Sequence, residues 1–143
     1  MCSTINELKK AYLQRYLNSK RREDELTLAI EELETRYGLH SPQLDGMPHG
    51  SGGSDLSEFG ARYEKLHNQM LETLARSLEV YSEISKAIED SGGTEAEKCV
   101  LRYRYIHGYT WEKIAVTMDF SYQWICELHG RALQKFIIPL DRN

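Results

Sequence analysis

A chain of 143 residues with 41% hydrophobic residues has apolar material for one domain, or one domain and an appendage. Three scattered cysteines, Cys2, Cys99 and Cys126, none in a C-x-x-C pair, argue against a disulfide framework or zinc site and for a reducing, cytoplasmic location. No apolar run has the length of a secretory leader or of the roughly 20 residues that span a membrane, and a net charge of −4 excludes a uniformly basic nucleic-acid coat.

That charge is unevenly spread. Residues 1–37 are neutral, residues 38–93 sum to −5, and residues 94–143 to +1. The acidity is concentrated in the middle, and the C-terminal third is left able to meet an anionic partner, with a weak long-range pull.

The aliphatic residues recur at helical spacing, so the chain reads as all-α. The first helix runs from Thr4 to about Tyr37. Thr4 and Glu7 have capping-box spacing, and Ile5, Leu8, Tyr12, Tyr16, then Leu26, Ile30, Leu33 and Tyr37 mark its apolar side. Lys20-Arg21-Arg22 faces Glu23-Asp24-Glu25 along the same helix and reads as intrahelical pairing rather than a basic patch. Gly38 supplies a stop.

Residues 38–54 follow as a Gly/Pro/Ser-rich loop, with two of the three prolines. His40, Asp45 and His49 in it lack ligand spacing, and we assign no metal and no cofactor. A second long helix starts near Asp55, with Glu58 completing another capping-box spacing. Its stripe is Leu56, Phe59, Tyr63, Leu66, Met70, Leu74, Leu78, Tyr81, Ile84 and Ile88. The two helices pair as a long hairpin, coiled-coil-like, over residues 1–93. The polar run from Asn18 to Glu25 leaves Leu66, Met70 and Leu74 uncovered, which predicts a homo-oligomer. Ser91-Gly92-Gly93 ends the hairpin.

Residues 94–143 form the second domain. Thr94 and Glu97 make a third capping-box spacing before a short helix that His107-Gly108 stops. Thr110 caps a helix from Trp111 to Met118. Asp119-Phe120 is a tight turn, and Ser121 caps a last helix from Tyr122 to about Phe136. Two short helices joined by a tight turn are a helix-turn-helix. Ala115 is small at the crossing. Ile114, Met118, Phe120, Ile125 and Leu128 are the candidate core, and Ile125, Leu128, Ala132, Leu133 and Phe136 share the inner face of the last helix. Trp111 reads as core; Trp124 is open between core and an outward face. No nucleophile with an evident base, and no phosphate loop opening a helix, is present, so no enzymatic activity is assigned.

The stretches Val100–Ile106, Gly108–Ala115, Phe120-Ser121 and His129–Leu133 together resemble sigma factor region four. Helix, Ser41–Gly52 loop, long helix and sigma-like C-terminus in that order resemble phage and prophage regulators of the RinA/ArpU kind. Asp119 stands where these families usually carry Gly, and Asp tolerates a left-handed backbone better than most residues. Tyr122-Gln123-Trp124 stands where they are usually rich in Arg.

The resemblance implies binding of double-stranded DNA in transcription control, associated with late phage genes. The last helix would enter the major groove. Tyr122, Gln123, Cys126 and Glu127 would face bases, and Arg102, Arg104, Arg131 and Lys135 would hold phosphates. The alternatives are a module that docks on RNA polymerase without reading DNA, and a DNA-packaging subunit of the small-terminase type.

Overall fold

The computed structural model describes residues 2–38 and 53–140. Five α-helices account for its regular structure: α1, Cys2–Arg36; α2, Gly53–Glu89; α3, Glu95–Tyr105; α4, Trp111–Met118; and α5, Tyr122–Lys135. The all-α reading holds, and no helix among the described residues is long and apolar enough to cross a membrane. Most of the 38–54 loop, with His40, Asp45 and His49, lies outside the described residues; Gly53 and Ser54 already belong to α2.

Two compact units divide the chain, one from Met1–Asn18 together with Ser77–Asn143, the other from Ser19–Arg76. The boundary at residues 93–94 falls inside the first of these. In that unit α1 and α2 run antiparallel, with Arg15 3.1 Å from Glu83 and the rings of Tyr16 and Tyr81 5.4 Å apart. Leu13 of α1 and Val80, Ile84, Ala87 and Ile88 of α2 share a core with Leu101, Tyr105, Leu133 and Phe136. A second cluster joins Val100, Ile114, Ala115, Ile125 and Leu128, so the three short helices close on one another as well as on the long pair. In the other unit, Leu26 and Leu33 are buried, and Tyr37 lies 5.0 Å from Phe59, ring to ring.

Several details depart from the sequence reading. The helix α1 begins at Cys2, so Thr4 lies within its first turn and does not cap it. Likewise α2 starts at Gly53, two residues before Asp55. Ile5 and Leu8 are exposed, and the buried residue of this stretch is Leu13. The α2 stripe is only partly the buried face. Ser77, Val80, Ile84, Ala87 and Ile88 are buried, while Leu56, Leu74, Leu78 and Tyr81 are exposed, Leu78 at 71%. Leu66 and Met70 are half-buried in the second unit rather than uncovered. The polar run is not bare either: Glu23 is buried, with Lys20 Nζ donating to its carboxylate at 2.5 Å. Besides Leu56, the exposed large apolar residues of α2 are Leu71 and Leu74 in the second unit and Leu78 and Tyr81 in the first.

Candidate nucleic-acid interface

Each short helix is started by a hydroxyl at its N-cap. The Thr94 capping box forms in full: Glu97 N–H donates to Thr94 Oγ1 at 3.3 Å, and Thr94 N–H donates to Glu97 Oε2 at 3.1 Å. Thr110 Oγ1 accepts from Lys113 N–H at 3.2 Å, and Ser121 Oγ accepts from Trp124 N–H at 3.1 Å. Such bonds satisfy donors that a helix start otherwise leaves unpaired. Between α3 and α4, Gly108 takes φ 70°, where a side chain would be strained. Tyr109 N–H reaches back to Tyr103 O at 2.9 Å, and their rings stack at 5.3 Å.

The turn between α4 and α5 rests on Asp119, at φ 57° and ψ 44°. This is the left-handed conformation that Asp accepts more readily than most residues. Phe120 N–H then bonds Ala115 O at 3.0 Å and closes the turn. Ala115 is buried at the crossing, as its small size requires. Phe120 is not in the core: it is 41% exposed, beside Val116 at 82%, and half-buried Met118, Trp111 and Trp124 flank the cluster instead. The αL turn directs Phe120 outward. Trp111 is only half-buried; its ring meets His129 edge-on at 4.6 Å.

The helix α5 is divided cleanly. Ile125, Leu128, His129, Ala132 and Leu133 are buried, and the C-cap Phe136 is fully so. Tyr122, Gln123, Cys126 and Glu127 are all exposed and fall on one face by their i, i+1, i+4, i+5 spacing. The four cations are placed differently from one another. Arg102 lies between Glu89 and Glu95, the latter at 3.0 Å. Burial pulls its pKa down, but the hydrogen bonds and charges of Glu95 and Glu89 prevail and raise it. Arg131 pairs with Glu127 at 2.6 Å and lies over the Trp124 ring at 5.0 Å. Lys135 donates to both oxygens of Glu97, at 3.0 and 3.1 Å.

That last pair reaches across 38 residues. Glu97 is 3% exposed. Burial pushes its pKa up, yet the Lys135 ammonium, the Thr94 N–H and the charge of Arg131 together hold it below the usual value. Arg104 differs from the other three. Its NH1 donates to Tyr109 O at 3.0 Å and its guanidinium lies 4.3 Å from the Trp111 centroid, with no carboxylate ion partner among the described residues.

Residues 94–136 match the family model for Sigma-70, region 4. The match begins on the N-cap of α3, Thr94, and ends on the C-cap of α5, Phe136, so it coincides with the three-helix element. Comparison with curated proteins and with solved structures finds no match. The C-terminal element is thus a helix-turn-helix of sigma-70 region 4 type, and α1 and α2 lie outside the match.

Sequence reasoning missed two features of this region-4-like element. Capping-box spacing marks Glu97, but nothing local marks Lys135 as its partner. The buried hydrogen bond between Tyr105 Oη and His129 Nε2, 2.9 Å, joins α3 to α5 with no spacing signal at all.

Proposed function

We propose that this protein binds double-stranded DNA sequence-specifically and regulates transcription, with α5 entering the major groove. The observation that carries the reading is the exposed Tyr122, Gln123, Cys126 and Glu127 face on the last helix of a sigma-70 region 4-like element. Tyr, Gln, Cys and Glu can donate to or accept from base edges, and an α-helix fits the major groove. Arg102, Arg104, Arg131 and Lys135 would hold phosphates. Three of them are already engaged by carboxylates, so each contact would be made by giving up an ion pair, and the affinity of one domain is low.

The division into a hairpin, 1–93, that carries a reading domain, 94–143, belongs to this proposal, as does a homo-oligomer. Leu78 and Tyr81, three residues apart on α2, are exposed in the first unit, at a spacing that a coiled-coil contact uses. Pairing two chains there would place two reading helices on one duplex, and effective concentration would compensate for weak half-sites. The order of elements resembles RinA/ArpU-type regulators, which supports a phage-encoded role in late-gene control in the cytoplasm.

Selection from a random duplex library tests the reading. Enrichment of one motif, arranged as two related half-sites, is the expected result; enrichment of none removes the function. A second reading, docking on RNA polymerase, is favoured by the exposed Val116 and Phe120 at the turn. Polymerase capture that survives Gln123→Ala but not Val116→Asp would support it.

A further inference from the structure

Behind the outer face of α5 lies a cleft of about 530 Å³. One wall is the α1 row Glu7, Lys10, Ala11 and Gln14, a single helix face by its spacing. The opposite wall is Arg104 and Tyr105 of α3, Trp111 of α4, and Cys126 and His129 of α5. Its size is that of a small-molecule site, with an aromatic surface and a few convergent polar groups.

Its charge is unbalanced. Lys10 and Arg104 bring two positive charges, and Glu7 one negative. The Lys10–Glu7 pair, 3.0 Å, is an exposed i, i+3 contact of the kind that contributes little and is readily exchanged. The guanidinium of Arg104 is half-buried, fixed in place by Tyr109 O and the Trp111 ring, and no carboxylate answers it among the described residues. A guanidinium held in place by neutral partners, with an ammonium on the opposite wall, is a donor set that takes an oxyanion.

We propose that this cleft is an anion seat for a phosphate group, gripped by Arg104 and Lys10, with Trp111 in the same wall holding the guanidinium. The protonation of the floor agrees. Burial first, and then the charges of Lys10 and Arg104, push His129 down to about 4, so the imidazole is neutral at pH 7 and the cleft keeps its positive field through the two cations. Burial raises the Tyr105 phenol to about 12, so it too stays neutral. Cys126 stands at the border between the cleft and the outer face of α5, so a backbone phosphate of a bound duplex and a free phosphate ester can both supply the group.

An NMR titration of the full chain with inorganic phosphate at constant ionic strength tests this. The indole N–H of Trp111 and the backbone N–H of Arg104 are expected to move saturably. Lys10→Gln should weaken the apparent affinity roughly tenfold, the loss of one charge-assisted hydrogen bond, and Lys10→Arg should restore it. Identical titrations for wild type and Lys10→Gln, or no saturable movement, overturn the inference. A duplex that moves the same signals and is competed by phosphate identifies the DNA backbone as the source; phosphate binding without duplex binding supports a free ester and discards the DNA-reading function alone. A duplex that moves Tyr122 and Gln123 while the cleft signals stay fixed, with no phosphate response, overturns the seat and leaves that function standing.

Discussion

Replacing Lys135 with Ala isolates the buried carboxylate of Glu97. In the native protein Glu97 is 3% exposed and is held by the Lys135 ammonium, the Thr94 N–H and its own place in the α3 capping box. Removing one partner of a fully buried ion pair costs about 3–5 kcal/mol, because the remaining charge is stranded. Lys135 itself is 43% exposed, so water already screens its side of the pair and about 2 kcal/mol is the appropriate figure. For a chain of this size that loss lowers Tm by roughly 4–8 °C. The pH dependence is diagnostic. The folded pKa of Glu97 is depressed in the native protein, so the pair stabilises above the unfolded carboxylate pKa and that stability is lost as pH falls through the folded one. Without Lys135, burial dominates and the folded pKa rises, and Glu97 escapes the penalty by taking up a proton. The gap between wild type and variant should therefore be full at pH 7 and shrink near pH 4. Thermal unfolding at both pH values measures it. An equal gap at the two pH values would refute the reasoning, since a pure loss of packing has no reason to titrate.

Three further outcomes follow from the same geometry. Glu127→Gln frees Arg131 from its 2.6 Å partner, so binding to any duplex should strengthen and the slope of log K against log salt should steepen by about 0.9, one added phosphate contact; filter binding between low and moderate salt reads it. The depressed pKa of His129, about 4 against an ordinary 6.5, means the unfolded chain binds more protons between those values. Stability should fall by roughly 3 kcal/mol from pH 7 towards pH 4, and His129→Gln should remove that part of the slope in urea titrations. Leu78→Lys, at a 71% exposed position, should leave Tm nearly unchanged and shift sedimentation equilibrium to the monomer mass, whereas wild type at micromolar concentration should be heavier. A monomeric wild type discards the α2 seam.

The sequence made α3, α4 and α5 legible because local chemistry sets their ends. Thr94, Thr110 and Ser121 cap as their spacing indicates, and Asp119 takes the left-handed turn. The outer and inner faces of α5 were readable for the same reason: fourteen residues of regular helix sort themselves by period. The long helices were harder. Ser77 and Ala87 are buried on α2 while Leu74 and Leu78 are exposed. A row chosen by hydropathy passes over small residues, although small residues are what a close helix contact accepts. Thr4 failed as a cap because the chain before it is already helical. Phe120 was misassigned because its direction depends on the αL geometry one residue earlier, which hydropathy does not encode. The readiness of the cations was invisible: Lys135 finds Glu97 and Arg102 finds Glu89 only through tertiary packing.

The first unit is assembled from both halves of the chain, and this sets the order in which it can fold. Lys9 Nζ donates to Leu133 O, 124 residues away, and the Tyr12 ring lies 6.0 Å from Phe136. The segment around Lys9 and Tyr12 therefore finds its partners only when the segment around Leu133 and Phe136 reaches it. Helices α1 and α2 can form in nanoseconds to microseconds by local bonds, but the core around Leu13 closes only when Leu133 and Phe136 have come to meet α1. Closing so long a loop adds an entropic cost that grows with the logarithm of its length, and non-local contacts slow folding. This helical protein should refold more slowly than an up-and-down bundle of the same length.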